Sequence, residues 1–266
     1  MLKYSANIST LMRDHPLEER LQRVSEAGIN GFEFLFVSTF GLPRLISAQG
    51  SSGLEVVLFD LETADPTLKT DYGYLCNPDA GDEFRRSLDE GLEAARQLGC
   101  RRLNSLVGMA APGASWEEQR DLVVQRLQQA AALAADAGVI LLVEAIANSM
   151  LPGYLVNYSR QALEIVDLVD QPNVRFQDDL FQMQLMEGNL IATLTKNIDK
   201  IGHVQVADVP GRHEPGTGEI NFPNVLRALE ETGYTGYVGL EYVPITDDPF
   251  AWLAEMGEAE RSMRAA

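Results

Sequence analysis

The stretch VILLVEAIAN at positions 139–148 carries the pattern that decides the fold. A run of aliphatic residues, several of them β-branched, leads directly to the acid Glu144. A continuous apolar run is typical of a parallel strand that is covered on both faces, whereas a half-exposed strand alternates with polar residues. The stretch therefore predicts a buried strand of a parallel sheet that ends in a carboxylate.

Further short apolar segments repeat this pattern on both sides, and amphipathic helical stripes lie between them. Phe84, Leu88, Leu92 and Ala95 form one stripe, and Ser115 is placed to cap the helix after it. The eight predicted strands are Tyr4–Ile8, Gly31–Phe36, Leu54–Leu61, Arg102–Val107, Ile140–Ile146, Val174–Asp179, His203–Asp208 and Tyr237–Tyr242.

Strands that alternate with helices in this way form either a closed barrel or an open doubly wound sheet. An open sheet normally has a glycine-rich nucleotide turn after its first strand, and SANISTLM at positions 5–12 is not one. No composition break marks a second domain, so we predict an α/β fold, a single (β/α)8 TIM barrel over residues 1–266. In the connection after the second strand, SAQGSSG at positions 47–53 predicts only a short helix.

Composition excludes several classes of protein. The net charge of −18 argues against a nucleic-acid partner, because phosphate binding needs a basic surface. No apolar stretch approaches the roughly 20 residues of a membrane span, and the start lacks the pattern of a secretory signal. Cys76 and Cys100 are interpreted as reduced thiols. We therefore expect a cytoplasmic protein with a small-molecule substrate, and the sequence neither requires nor forbids a homo-oligomer.

Polar side chains lie at the ends of four consecutive predicted strands. They are Glu144 on the fifth, Asp178 and Asp179 on the sixth, Gln205 on the seventh and Glu241 on the eighth. Catalytic groups of barrels lie at this end of the strands. Clustered buried carboxylates repel one another, so a divalent cation is the simplest counter-charge, and oxygen ligands favour Mg²⁺, Mn²⁺ or Co²⁺. The alternative is that each acid pairs with a basic residue or points into water.

Other polar residues are less informative. His203 is interpreted as a structural histidine, and His213 lies in the loop GRHEPGTGEIN, where it either contacts a substrate or is solvated. Asn7 and Glu33, near the ends of the first two strands, face either the core or the mouth of the barrel. The chain has no GxSxG, P-loop or CxxC motif, so serine-nucleophile chemistry, NTP hydrolysis and dithiol redox chemistry lack their usual residues.

At these residues the chain resembles the hydroxypyruvate isomerases, within the xylose-isomerase-like barrels that also include ketose 3-epimerases and 2-oxo-tetronate isomerases. The resemblance covers almost the whole chain. The segments that carry it are KYSANIS, GFEFLF, LNSLVG, LLVEAIAN, QMQLMEG, KIGHVQVAD, RHEPGTGEINF and GLEY.

The resemblance implies a divalent metal, Mg²⁺, Mn²⁺ or Co²⁺, held by Glu144, Asp179, Gln205 and Glu241. It also implies that Glu144 and Glu241 are the catalytic acid and base, exchanging protons with neighbouring substrate carbons through an enediolate. Arg212 matches a position that contacts the polar end of the substrate. The implied activity is that of an isomerase of a small hydroxy-oxo acid or sugar.

Three positions on the substrate side depart from the family. Phe59, Gln182 and Asn148 stand where relatives commonly have histidine, and we predict them as substrate-binding positions. The departures leave alternatives to hydroxypyruvate isomerisation: a ketose 3-epimerase, another metal-dependent reaction or, in a different class, a non-catalytic binding protein. A metal nuclease on the same fold is disfavoured because the chain has three histidines and a strongly acidic charge.

Overall fold

A computed structural model describes residues 1–63 and 72–254 of the chain. In this structure β1 to β8 pair in parallel in sequence order, and β8 closes on β1. The predicted (β/α)8 barrel is therefore confirmed. The strands are β1 (Lys3–Asn7), β2 (Gly31–Phe34), β3 (Glu55–Asp60), β4 (Arg102–Asn104), β5 (Ile140–Glu144), β6 (Val174–Asp179), β7 (Ile201–Val206) and β8 (Tyr237–Leu240).

The helices surround the barrel and bury their apolar stripes against it. Phe84 and Leu88 are buried on one such helix, and Ser115 caps another by accepting a hydrogen bond from the backbone of Glu118. The α-helices are α1 (Leu17–Glu26), α2 (Val37–Phe40), α3 (Leu42–Ser52), α4 (Gly81–Leu98), α5 (Trp116–Asp136), α6 (Ser159–Val169), α7 (Leu180–Met186), α8 (Leu190–Lys196) and α9 (Phe222–Glu231).

Each predicted strand contains or overlaps a real one, and most real strands end earlier than predicted. The expectation of only a short helix after β2 is wrong. Helix α3 continues through Ser47 to Ser52, because Leu45 and Ala48 are buried on one face of it, and it ends at Gly53 with a left-handed φ of 70°. Tertiary packing thus outweighs the low helix propensity of Gly50 and the serines.

The interior of the barrel is more polar than the apolar strand segments suggest. Ser5, Glu33 and His203 are fully buried and are joined by hydrogen bonds. Gly239 leaves room for this group, because a Cβ at that position would lie 2.4 Å from Glu33 Oε1. The main apolar core and a small second cluster consist of separate sets of buried side chains, and the second cluster contains Val57, Leu58, Leu142 and Tyr237.

The described residues also bear on the cysteines and on membrane-spanning helices. Cys76 and Cys100 are buried free thiols, as expected. Among the described helices, none combines the length and the apolar character that crossing a bilayer requires.

Candidate active site at the carboxyl end of the barrel

A cavity of about 200 Å³ opens at the carboxyl ends of the strands, and we call it the mouth. This volume suits a small metabolite, since drug-sized ligands occupy pockets of roughly 300 Å³ or more. The polar side chains that line it are Asn7, Asp60, Tyr72, Glu144, Gln177, Gln182, Gln205, Arg212 and Glu241, and the apolar ones include Leu35, Leu58, Leu106, Ile146, Met150 and Leu151.

Four buried carboxylates, which we call the mouth carboxylates, gather here. Glu144 ends β5 and Glu241 follows β8, and each is only 6% exposed. Asp60 ends β3 and lines the mouth, although the strand-end prediction did not include it. Asp179 ends β6 and reaches the same region through its contact with Arg212, without forming part of the cavity lining.

The mouth carboxylates hold their protons more tightly than exposed acids do. Burial, and then the charges of Glu241 and Asp179, raise the pKa of Glu144 well above its ordinary value. Burial also raises the pKa of Glu241 to about 8, although Arg212 acts in the opposite direction. Burial followed by the charge of Glu241 raises the pKa of Asp60. The pKa of about 8 places Glu241 in the range where a carboxyl group can both bind and release a proton near neutral pH.

Arg212 is the single basic side chain in the described lining of the mouth. Its Nη2 donates to Glu241 Oε1 at 2.7 Å and lies 3.4 Å from Asp179 Oδ2. The guanidinium carbon lies 5.3 Å from the centre of the Phe181 ring. Burial alone would lower the pKa of Arg212, but Glu241 and Asp179 outweigh it and raise the pKa, so the side chain stays charged. Four acidic side chains therefore lie near a single guanidinium.

Amide side chains complete the mouth. Asn104 Nδ2 donates to Glu144 Oε2 at 2.7 Å, and Gln177 Nε2 donates to Gln205 Oε1 at 2.7 Å. Gln182 Oε1 accepts a hydrogen bond from the backbone of Ala147 at 2.9 Å. Within the described part of the chain, Asn104 Oδ1 and Gln177 Oε1 are buried without a hydrogen-bond partner. Buried oxygen atoms without a donor are costly, and they are typical of sites that receive a ligand.

The structure brings some predicted substrate-side positions to the mouth and not others. Gln182 and Arg212 line it. Asn148 is an exposed loop residue whose Oδ1 accepts from the backbone of Gly153, and it lies outside the lining. Phe59 stacks on Phe34 with ring centres 5.1 Å apart and is likewise outside the lining.

The placement of Phe59 follows from strand geometry. Successive side chains of a strand point to opposite faces, and the neighbours Leu58 and Asp60 line the mouth. Phe59 must therefore point to the outer face, into the layer between sheet and helices. The same alternation is the sequence signal that identifies Asp60 as a mouth residue. Asn7 also lines the mouth, whereas Glu33 lies deeper in the barrel.

The residues of the mouth fit a divalent cation in chemistry and in charge. The four predicted ligands offer oxygen atoms, three of them are acidic side chains that can give up a proton to a cation, and the unpartnered Gln177 Oε1 adds a further acceptor. They do not form a closed ligand shell: among the described residues, no three His, Cys, Asp or Glu side chains are arranged to hold a metal ion. Since Arg212 contacts Asp179 and Glu241, a cation would share these groups with Arg212 or take its place.

The loop after β7, residues 208–220, which we call the Asp208 loop, fixes the position of Arg212. Asp208 is fully buried and accepts hydrogen bonds from the backbone amides of Val209, Gly216, Gly218 and Ile220. These bonds hold Arg212, with its left-handed φ of 58°, over the mouth.

A second acid joins the Asp208 loop to the segment after β8. Glu214 accepts hydrogen bonds from the backbone amides of Ile245 and Thr246 and from the Thr246 hydroxyl. The backbone of Val243 also donates to the carbonyl of Arg212 at 2.8 Å. His213 Nδ1 lies 2.8 Å from the carbonyl oxygen of Val243, and the ring is not part of the mouth lining. His213 is thus oriented toward the loop contact instead of the cavity.

A closed parallel barrel with an acidic mouth at the carboxyl ends of its strands defines a class of metabolic barrel enzymes. The family model of the xylose isomerase-like TIM barrel matches residues 21–264, and the chain belongs to this family. The hydroxypyruvate isomerase of Escherichia coli (strain K12) is 37% identical over 246 residues, which cover 92% of this chain and 95% of the relative. The 2-oxo-tetronate isomerase of Pectobacterium atrosepticum is 34% identical, covering 95% and 97%.

A solved structure is also similar over nearly its whole length. The protein from Brucella melitensis described as an AP endonuclease, family 2, superposes with a TM-score of 0.91 and 33% identity, covering 96% of this chain and 99% of its own. The predicted resemblance to the hydroxypyruvate isomerase family is confirmed by these relatives. The prediction of an isomerase is confirmed as well, since curated relatives are named as isomerases.

Proposed function

We propose that this chain is a divalent-cation-dependent isomerase of a small hydroxy-oxo acid or sugar, similar to hydroxypyruvate isomerase. The observation that carries the proposal is the pair Glu144 and Glu241, two buried carboxyl groups with raised pKa values that line one cavity of about 200 Å³. A carboxyl group whose pKa lies near the working pH both takes up and releases protons efficiently. The relatives named as hydroxypyruvate and 2-oxo-tetronate isomerases support the substrate class.

The contacts of the two glutamates suit them to proton exchange with a substrate. Asn104 holds Glu144 through Oε2, and Arg212 holds Glu241 through Oε1. Each carboxyl group is thereby oriented with its other oxygen left for the substrate. One glutamate removes a proton from the carbon beside the substrate carbonyl, which gives an enediolate. The other glutamate adds a proton to the former carbonyl carbon, and the hydroxyl proton passes to the former carbonyl oxygen, so the carbonyl moves by one position.

The proposed ligands of the cation are Glu144, Asp179, Gln205 and Glu241. When bound, a divalent cation would polarise the substrate carbonyl and stabilise the negative charge that develops on its oxygen. Arg212 would bind the anionic end of the substrate, because it is the positive side chain of the described lining. Leu106, Ile146 and Leu151 form an apolar wall that limits the access of water to the reacting carbons.

A specific observation disfavours one alternative function. A nuclease, as the description of the Brucella melitensis structure suggests for that protein, needs positive charge along a phosphate backbone. This chain has a net charge of −18 and one arginine against four carboxylates at its mouth.

Proton exchange with solvent tests the proposal directly. The purified protein with Mn²⁺, Mg²⁺ or Co²⁺ is incubated in D2O with hydroxypyruvate, tartronate semialdehyde, 2-oxo-tetronate and free ketoses, and deuterium incorporation is followed by NMR. We expect cation-dependent incorporation into the hydroxy-oxo acids. A protein that incorporates no deuterium into any member of the panel, and whose melting temperature is unaffected by the three cations, would contradict the proposal.

A further inference from the structure

Glu33 lies on β2 inside the barrel, fully buried, and does not line the mouth. Its Oε1 accepts a hydrogen bond from Gln205 Nε2 at 2.9 Å. We infer that Glu33 is a positioning residue that orients the Gln205 amide, so that the amide oxygen and not the nitrogen serves the mouth. The inference rests on the proposed function, in which Gln205 is an oxygen ligand of a cation.

The two ends of a glutamine amide have nearly the same shape and opposite hydrogen-bonding character. Its oxygen only accepts and its nitrogen only donates, so the usefulness of Gln205 to a cation depends on which end faces the mouth. Both oxygens of the Glu33 carboxyl group accept hydrogen bonds in the structure, Oε1 from Gln205 and Oε2 from Ser5. Glu33 therefore selects the nitrogen end of Gln205, and the oxygen is left on the side of Gln177.

The chain of hydrogen bonds runs in one direction toward the mouth. Gln205 donates to Glu33, and Gln177 donates to Gln205 Oε1 at 2.7 Å. Both nitrogen atoms are used in this chain. The oxygen of Gln177 remains without a partner among the described residues, and both glutamines line the mouth. A single carboxylate at the start of the chain thus sets the orientation of two amides.

Glu33 is itself held on three sides. Its Oε2 accepts from Ser5 Oγ at 3.0 Å and lies 2.8 Å from His203 Nε2. The space for its carboxylate exists because position 239 is glycine. These contacts are inside the barrel, away from the helices and the solvent. They leave Glu33 no alternative position, which is what an orienting group requires.

Variants that swap the side chains of Glu33 and Gln205, singly and together, test the inference. In Glu33→Gln, the substituted amide both donates and accepts, so Gln205 loses its fixed orientation, and we expect about a tenfold weaker Mn²⁺ affinity by isothermal titration calorimetry. Gln205→Glu places a carboxylate against Glu33 and should also bind more weakly. The double variant restores one donor and one acceptor and again presents an oxygen to the mouth. We therefore expect it to bind Mn²⁺ at least as tightly as wild type.

A matched control removes a part-buried hydrogen bond between the first residues of β8 and β3. Tyr237→Phe deletes the 2.9 Å bond to Glu55 without touching the chain from Glu33 to Gln177, and it should bind Mn²⁺ like wild type. If Glu33 had a purely structural role, both single variants would bind Mn²⁺ more weakly and the double variant would not recover the affinity. Unchanged Mn²⁺ affinity in Glu33→Gln, or absence of recovery in the double variant, would overturn the inference while leaving the proposed function intact.

A readout without a cation separates this inference from the proposed function. The side-chain amide protons of Gln205, assigned in ¹⁵N spectra by their disappearance in Gln205→Glu, should exchange slowly with solvent in wild type and faster in Glu33→Gln. If wild type binds no Mn²⁺ but this difference is found, the cation-dependent function fails and the orienting role of Glu33 stands. Equal exchange rates in the two proteins would refute the orienting role whatever the cation does.

Discussion

The mouth and the Asp208 loop both contain buried acidic side chains, but the hydrogen-bond partners of these acids differ. Asp208 accepts four backbone hydrogen bonds, and Glu214 is fully engaged by Ile245 and Thr246. In the mouth, Asp179 and Glu241 share Arg212 as a partner. Among the described residues, the buried amide oxygens of Asn104 and Gln177 have no hydrogen-bond donor. The first arrangement stabilises a loop, whereas the second leaves interactions for a ligand to complete. The partners of the acids therefore differ between the two regions: backbone amides hold Asp208 and Glu214, whereas side-chain donors hold Glu144 and Glu241.

The largest effect on deuterium incorporation is expected from substitutions of the two proposed catalytic acids. Glu144→Gln and Glu241→Gln each remove a proton-exchanging group, so deuterium incorporation should fall by about a thousandfold while the fold is retained. Glu219→Gln, at an acid of the Asp208 loop outside the mouth lining, is the matched control and should exchange at the wild-type rate. Near-normal exchange in either mouth variant would remove that glutamate from the proposed chemistry.

Arg212→Ala tests whether the mouth carboxylates depend on their single counter-charge. Without the guanidinium, Glu241 loses its basic partner and Asp179 keeps only the backbone amides that cap α7, so we expect a loss of about 3 kcal/mol in the free energy of unfolding without added cation. Mn²⁺ should recover most of this loss, because it supplies positive charge to the same groups. Urea denaturation with and without Mn²⁺ measures both effects. Equal losses under the two conditions would show that the cation and Arg212 do not act on the same carboxylates.

Asp208→Asn should damage the loop without altering the chemistry of the mouth directly. The Oδ2 atom of Asp208 accepts from both Gly216 and Gly218 at 2.9 Å, and an amide nitrogen in its place would face two donors. We expect about 2 kcal/mol of destabilisation and faster hydrogen exchange at the amides of Gly216 and Gly218. If these amides remain as protected as in wild type, the loop is held by other contacts.

Asp178→Asn is expected to change the free energy of unfolding in the opposite direction, and only at high pH. Asp178 is 1% exposed, and neither of its carboxylate oxygens has a hydrogen-bond partner among the described residues. Burial, and then Asp179 and Glu187, raise its pKa from 3.8 to about 8. The folded state thus keeps a proton that the unfolded chain loses, so this group lowers the free energy of unfolding as the pH rises from about 4 to about 8.

The substitution removes that pH dependence. Asp178→Asn should be more stable than wild type at pH 9 and nearly equal to it at pH 4. Urea denaturation at the two pH values measures the difference. A difference that does not change between them would mean that Asp178 is ionised in the fold through a contact that compensates its charge.

Much of the fold was predictable because apolar runs identify buried parallel strands wherever they occur. All eight strands follow from such runs, and the strand-end rule locates Glu144, Gln205 and Glu241 at the mouth. The helix at 42–52 was underestimated, because its packing compensates for glycine and serine in a way that local propensity does not show. The strand-end rule must be combined with the alternation of side chains along a strand. Without that alternation, Phe59 is predicted at the mouth and Asp60, which lines it, is overlooked.

Other parts of the site depend on contacts between distant segments. Arg212 reaches the carboxylates because its backbone takes a left-handed conformation within a loop held by Asp208. The place of Glu33 depends on the missing side chain of Gly239, which is more than two hundred positions away in the chain. Neither residue lies in a pattern that periodicity or spacing reveals. A single sequence therefore identifies the candidates for the mouth, and three-dimensional packing decides how they are oriented.

The bonds between the Asp208 loop and the segment after β8 have a consequence for recombination among homologous barrels. A chimera with a junction between Glu214 and Ile245 would separate an acid of one parent from the donors of another, unless both parents share the same contact. Junctions before Asp208 and after Thr246 would transfer this side of the barrel as one exchangeable module. Substrate range in such chimeras should then follow the parent that supplies the module.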